Sequence, residues 1–243
     1  MELKEIRILG LKVHHVDMEQ SLVFLDEALS GNDFTRVITL NAEIAYGAYG
    51  NEELTSLING ADLVTPDGSG ILWAASRYGT PLTERVCGID LLTALLEKYS
   101  DGSKGFYFLG AKPEVAEKAA EKIREQYPKL RYCGYHDGYF GKENSEAMAD
   151  IIAKSGADIL IAAMGAPFQD RWIAQYGSRC GVKVGIGVGG SLDVISGTVK
   201  RAPVLFQKMR LEWLYRLLTD FSRWKRMTVL PKFMRLVKKQ CKS

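Results

Sequence analysis

The sequence predicts an α/β fold, a Rossmann-like, mostly parallel sheet with helices on both faces, followed by a helical, basic C-terminal appendage. Three observations carry that expectation. Short apolar or β-branched runs alternate with segments of helical spacing along most of the 243 residues. The intervening helices are 10–15 residues long, the length that returns a chain across a parallel sheet. The charge then changes abruptly: residues 196–243 hold 13 Lys and Arg against Glu212 and Asp220, a net +11, whereas the preceding 195 residues sum to −8. We therefore divide the chain into an α/β core, 1–195, and a basic amphipathic appendage, 196–243.

In chain order, Ile6–Val13 reads as a strand. Asp17 is a helix N-cap, with Leu22, Leu25 and Leu29 on one face of the helix it starts. Arg36–Leu40 and Asp62–Val64 read as strands, and Ser69–Arg77 as a helix. The helix Ile89–Tyr99 buries Leu91, Leu92, Leu95 and Leu96. After the strand Gly105–Leu109, Pro113 opens a helix at a first-turn position and Pro128 ends it beyond Tyr127. Arg131–Tyr135, Asp158–Ala162 and Val182–Ile186 complete the strands, separated by helices over Glu143–Lys154 and Pro167–Tyr176.

The appendage differs in kind. If Val204–Met227 is helical, Leu211, Leu214, Leu217, Leu218, Phe221 and Trp224 share one side, opposite Lys208, Arg216, Arg223 and Arg226. After a break before Pro231, Phe233, Leu236 and Val237 repeat the pattern against Lys232, Arg235, Lys238 and Lys239. A broad apolar stripe with a cationic opposite face suits a membrane interface rich in anionic lipid. It equally suits a helix packed on the core with a solvated basic face. Nucleic acid is not expected as a partner, because no binding motif accompanies the charge.

Composition narrows the class further. At 47% apolar and 25% charged residues the chain is globular. Cys87, Cys133, Cys180 and Cys241 lie far apart without a CxxC pair, which argues for a reducing compartment and against a zinc knuckle. No run of 18 apolar residues exists, and the N-terminus MELKEIRILG lacks the pattern of a signal peptide. Secretion and membrane spanning are not expected.

Ligands of such sheets bind beyond the carboxyl ends of the strands, where helix N-termini offer free N–H groups. The sequence there is rich in polar and small residues: Thr39-Leu40-Asn41-Ala42-Glu43, Thr65-Pro66-Asp67-Gly68-Ser69-Gly70, Gly110-Ala111-Lys112-Pro113, Gly165-Ala166-Pro167-Phe168-Gln169 and Gly185 to Ser191. Gly185, Gly187 and Gly190 match GxGxxG. A dinucleotide fingerprint would close the first βα turn and carry an acid about 20 residues later, where this chain has Gln207-Lys208-Met209-Arg210. A close-packed turn and a phosphate or ribose contact, with Asp193 as sugar-hydroxyl acceptor, are the other readings. Asp67 stands either as a cleft-facing carboxylate or as the N-cap of the helix that follows.

Six segments, in order, resemble the WecG/TagA/CpsF family of bacterial glycosyltransferases: Thr39–Glu43, Ala61–Gly68, Glu84–Leu91, Phe108–Pro113, Gly165–Trp172, and Gly187–Asp193 running on to Gly197 and Arg201-Ala202-Pro203. Each alone is weakly specific, and together they span about residues 5 to 215. The resemblance implies inverting, metal-independent transfer of an N-acetylmannosamine-type sugar from UDP-ManNAc to a lipid-linked GlcNAc at the cytoplasmic membrane face. No cofactor is implied, the UDP-sugar being a substrate. The basic extension looks like that of the TagA-like branch, which makes the teichoic-acid linkage unit on undecaprenyl-pyrophosphoryl-GlcNAc. Other members use other sugars. The implied location is cytoplasmic and peripheral to the membrane, and an exposed apolar tail face can also drive a homo-oligomer.

Such chemistry needs a base for the acceptor hydroxyl and positive charge or N–H donors for the departing diphosphate. With the resemblance Asp67 is the expected base, with Glu43 as runner-up. Thr39 and Asn41 orient acceptor or phosphate, or cap a helix. Gln169 meets a sugar hydroxyl, or is an exposed helix residue. Arg85 holds phosphate, or forms a structural ion pair, and the appendage supplies Arg216, Arg223 and Arg226 for the diphosphate. Gly110, Gly187, Gly189, Gly190 and Asp193 are expected around UDP. Tyr139, among the loop aromatics Tyr135, Tyr139 and Phe140, is expected to stack on uracil, although packing explains these rings too. His14, His15 and His136 form no ligand set, and no metal site is expected. Two readings from other classes are an NAD-dependent oxidoreductase, resting on Gly185–Gly190 alone, and a non-enzymatic membrane- or nucleic-acid-binding adaptor, resting on the tail alone.

Overall fold

In a computed structural model, residues 3–203, 206, 215 and 228–241 are described. Six parallel strands form the central sheet in the order β4-β3-β8-β7-β5-β6: β3 (Thr35–Leu40), β4 (Leu63–Pro66), β5 (Gly105–Gly110), β6 (Arg131–His136), β7 (Ile159–Ala163) and β8 (Val184–Gly187). The expected parallel α/β class is what the chain adopts.

The N-terminus differs from expectation. Residues 6–13 do not form one strand but a hairpin, β1 (Glu5–Ile8) and β2 (Leu11–His14), in which Ile6 pairs with Val13. The reversal is a two-residue turn at Leu9 and Gly10, with φ of 52° and 81°. Positive φ at both central positions matches the twist of a tight hairpin, and glycine takes the second without strain. The hairpin covers the outer edge of β4. There the buried ring of His14 accepts the Val64 N–H through Nδ1 at 2.8 Å, which satisfies an edge-strand donor. Burial holds the His14 pKa down at about 4, so the ring stays neutral and able to accept.

Side chains alternate along the strands and divide the helices between two faces. On one face Val37, Phe106, Phe108, Ile159, Ile161, Val184 and Ile186 pack against α1 (Met18–Ser30), α5 (Gly88–Lys98), α6 (Pro113–Gln126) and the short α9 (Ser191–Ile195). Asp17 caps α1 as expected, in a reciprocal box with Gln20. On the other face Ile38, Leu40 and Val64 meet the hairpin, α2 (Ala42–Ala48), α3 (Glu52–Asn59), α4 (Ser69–Arg77) and α10 (Val229–Gln240). Further along that face Tyr107, Leu109 and Leu160 pack on α7 (Ser145–Ser155) and α8 (Phe168–Tyr176).

Helix α10 settles where the last basic segment lies. It begins at Val229, two residues before Pro231, which the first turn accommodates because an early N–H has no helical partner. Phe233 and Val237 are fully buried against α2 and α4, while Lys232, Arg235, Lys238 and Lys239 are exposed. Apart from Phe206 and Tyr215, the residues of the amphipathic helix expected over Val204–Met227 lie outside the described ones.

Candidate functional site

A cleft of about 770 Å³ opens at the carboxyl ends of β4, β3, β8 and β7. Its rim comes from Thr39 and Asn41 after β3, Asp67 and Gly68 after β4, Gly165 to Gln169 after β7, and Gly189 to Asp193 after β8. Helices α4, α5, α8 and α9 all begin there with no side-chain cap on their first N–H groups. Several uncapped N-termini aimed into one cleft favour a ligand carrying negative charge.

Asp67 sits at the mouth of this cleft, half-buried. It does not cap α4. That position belongs to Gly68, at φ 83°. Backbone bonds fix the turn, since the Asp67 N–H donates to Leu40 O at 2.8 Å and the Val86 N–H to Pro66 O at 2.9 Å. The Thr65 hydroxyl donates to Val86 O, so the stretch carrying Arg85 and Cys87 is laced beside β4. Arg85 thereby shares the cleft with Asp67. The Arg85 guanidinium also stands 3.5 Å from Asp90, so the ion pair weighed as its alternative role is present alongside the cleft position. The Cys87 thiol donates to Asp90 at 2.7 Å, and burial with Asp67 and Asp90 nearby pushes its pKa far up, leaving it protonated.

Asn41 lines the cleft and is also a helix cap, its side-chain oxygen accepting the N–H groups of Glu43 and Ile44. That leaves its amide nitrogen as the group it has for a ligand. Thr39 is buried, and its hydroxyl donates to Gly187 O at 3.1 Å across the β3–β8 pair. Glu43 is exposed at the rim.

Gln169 is not the exposed helix residue that spacing allowed. It is 2% exposed, and its Oε1 accepts the N–H groups of Gly165 and Gly189, each at 3.1 Å. One side chain therefore staples the turn after β7 to the turn after β8. Asp170, beside it, is a cleft residue the sequence reading passed over. It is 3% exposed, hydrogen-bonded to Gln169 and opposite Arg36, and burial raises its pKa to about 7. An acid in the first turn of a helix beginning at a strand end was the signal available for it.

The GxGxxG stretch divides by function. A Cβ on Gly187 would fall 2.6 Å from Asp170 Oδ1 and Gln169 Nε2, and one on Gly185 2.8 Å from Ile173. These two glycines let α8 lie close against β8. Of the residues expected around UDP here, Gly189, Gly190 and Asp193 line the cleft, together with Val188 and Ser191, whereas Gly187 does not. Gly110 and Tyr139 lie outside the lining. A Cβ on Gly110 would meet Ala163 at 2.5 Å, so strand packing accounts for that glycine, and Tyr139 is 70% exposed. Their neighbourhood nevertheless lies near the cleft wall, because a Cβ on Gly138 would meet Met164 at 3.3 Å and Gly110 at 3.4 Å, and Met164 follows Ala163 of the lining. Phe140 packs edge-on against Trp172 and His136, which gives that ring its place. Arg216, Arg223 and Arg226 lie outside the described residues.

Ile44, Tyr46, Leu54, Leu57, Val229 and Leu230 add an apolar wall to the cleft that the sequence alone does not reveal. Helix α3 gives a weak helical signal because it is short, with only Leu54, Leu57 and Ile58 apolar among its eight residues. Among the described residues no group of three or more His, Cys, Asp or Glu side chains is placed to hold a metal ion, and no helix is long and apolar enough to cross a membrane.

The chain resembles known proteins over most of its length. It is 38% identical over 211 residues to the N-acetylglucosaminyldiphosphoundecaprenol N-acetyl-beta-D-mannosaminyltransferase of Bacillus spizizenii, covering 87% of this chain and 81% of that protein. The identically named protein of Bacillus subtilis strain 168 is 34% identical, over 85% of this chain and 80% of its own. That of Staphylococcus aureus strain MRSA252 is 33% identical, over 95% and 91%. The model of the glycosyl transferase WecG/TagA/CpsF family matches residues 6–243, the span that holds every wall of the cleft. From this match and these identities, the chain is a member of the WecG/TagA/CpsF family of glycosyltransferases.

Proposed function

We propose that this enzyme transfers N-acetylmannosamine from UDP-ManNAc to undecaprenyl-pyrophosphoryl-GlcNAc, the transferred sugar and the acceptor being those its relatives are named for. The observation that carries the reading is Asp67 at the mouth of a cleft where uncapped helix starts and Arg85 converge. In this reading the Asp67 carboxylate takes the proton of the acceptor hydroxyl while that oxygen attacks the anomeric carbon from the face opposite UDP. The anomeric C–O bond breaks, and UDP departs with the bonding electrons. Negative charge grows on the diphosphate, where the N–H groups at the starts of α4 and α5 and the Arg85 fork receive it. Arg216, Arg223 and Arg226, from the appendage, offset that charge further.

Gln169 acts by holding the turns after β7 and β8 in register. Asn41 and Thr39 shape the rim, Gly189, Gly190 and Asp193 take the nucleotide sugar ring, and Tyr139 stacks on uracil. The apolar wall suits the lipid end of the acceptor. The exposed cationic side of α10 supports peripheral contact with anionic lipid at the inner membrane face.

The test is UDP release from a panel of UDP-sugars with a lipid-pyrophosphoryl-GlcNAc analogue, for the native chain and Asp67→Asn. Loss of a positioned base lowers turnover by about 10²–10⁴-fold. Normal turnover by the variant removes Asp67 as base, and release from a different UDP-sugar alone would correct the donor.

A further inference from the structure

Asp90, in the first turn of α5, serves three donors from two parts of the chain. Its Oδ2 accepts the Cys87 thiol and faces Arg85 at 3.5 Å, and its Oδ1 is bonded by Arg201 Nη2. Arg85 reaches it from the stretch laced beside β4. Arg201 reaches it from the segment after α9, two residues past Val199; Val199 and Arg85 line the cleft, and Asp90 and Arg201 stand directly behind that lining.

That segment is firmly placed. The Val199 N–H donates to Asp193 O at 2.9 Å, the Ser196 hydroxyl donates to Asp193 O at 3.0 Å, and Ala202 is buried. A carboxylate receiving one guanidinium per oxygen holds two forks side by side, each fork carrying five N–H donors. Both side chains are partly exposed, at 22% for Arg85 and 29% for Arg201, although the Arg201 Nε is itself buried. They lie where α5 begins uncapped.

We propose that Arg201 is a second diphosphate-binding residue, held beside Arg85 by Asp90 acting as a positioning carboxylate. The proposal rests on the reading of the cleft as a UDP-sugar site. One fork alone meets a single phosphate, whereas two forks set by a shared carboxylate span the bridge between phosphates and receive charge on both as the sugar leaves. The pair also joins the β4 side of the cleft to the segment that leads into the appendage.

The experiment measures the dissociation constants of UDP and of uridine for the full-length native chain, Arg201→Gln and Arg201→Lys. Arg201→Gln is expected to weaken UDP about tenfold or more while uridine, which lacks phosphates, binds as before. Arg201→Lys should fall between, keeping charge without the fork. Unchanged uridine affinity also shows that the variant is folded. Equal UDP affinity in the native chain and Arg201→Gln, or parallel loss of UDP and uridine, overturns the proposal and leaves Arg201 a structural tether. If the native chain binds UDP no better than uridine, the diphosphate reading of the cleft itself falls. In an Asp90→Asn background the Arg201→Gln penalty should shrink, and an undiminished penalty overturns the positioning role of Asp90.

Discussion

Asp170 shows how a single buried acid makes the cleft sensitive to pH. Its pKa rises from an ordinary 3.8 to about 7 because burial penalises the charged form more than Gln169 and Arg36 favour it. The folded state therefore binds a proton that the unfolded chain has already lost between about pH 4 and 7. The stability tied to that proton is complete below pH 4 and is lost as pH rises through 7. Between pH 5 and 8 the native chain should lose about 2–3 kcal/mol relative to Asp170→Asn, measured by denaturant unfolding of both proteins at each pH. A constant difference across that range would show that Asp170 does not titrate there. Such a residue is hard to read from sequence, since an acid in a first helical turn is ordinarily a solvated dipole partner, and only the closeness of α8 to the glycines of β8 seals it in. Asn41 and Asp67 illustrate the opposite case. Both were legible as cleft residues, and the folded geometry then assigned the capping role to Asn41 and withheld it from Asp67.

At the level of elements, most helices and strands could be read from period and punctuation. The capping box at Asp17, Pro113 at a first turn and the apolar runs of the buried strands each encode their own local structure. The misreadings have physical causes. The hairpin at Leu9-Gly10 lacks a polar turn signature on its first residue, so two short strands look like one. Helices α2 and α3 are short, and their stability comes from packing on β3, α8 and α10 rather than from their own pattern. Helix α10 has the clearest energetic consequence. Phe233 is fully buried between α2 and α4, and Leu230 lies where a Cβ on Gly70 would meet it at 3.2 Å. Phe233→Ala should cost about 3–5 kcal/mol and lower the melting temperature by roughly 10 °C in a thermal scan. Because α2 and α4 carry Asn41 and the turn of Asp67, transfer should fall with it. An unaltered melting temperature would mean that α10 detaches without consequence in solution.

For the molecule as a whole, the division into an acidic body and a basic extension was plain in the sequence, but where the extension sits was not. Charge counting places Lys232, Arg235, Lys238 and Lys239 on one side of a helix and leaves open what the other side covers. The fold answers that with the α2–α4 groove. Exposed cations on a docked helix give a surface, so association with vesicles containing anionic lipid should weaken as salt rises. Reversing Lys232 and Lys238 to Glu should lower the partition coefficient by roughly tenfold or more in a sedimentation assay. Salt-independent binding, or binding unaffected by the reversal, would assign membrane contact to another surface.

The docking of α10 has one more effect. Val199 and Val229, thirty positions apart in the sequence, both line the cleft. A hollow walled by two such distant stretches of sequence is complete only once the final helix has settled, so severing that helix would leave the entrance unfinished even with every strand-end residue in place.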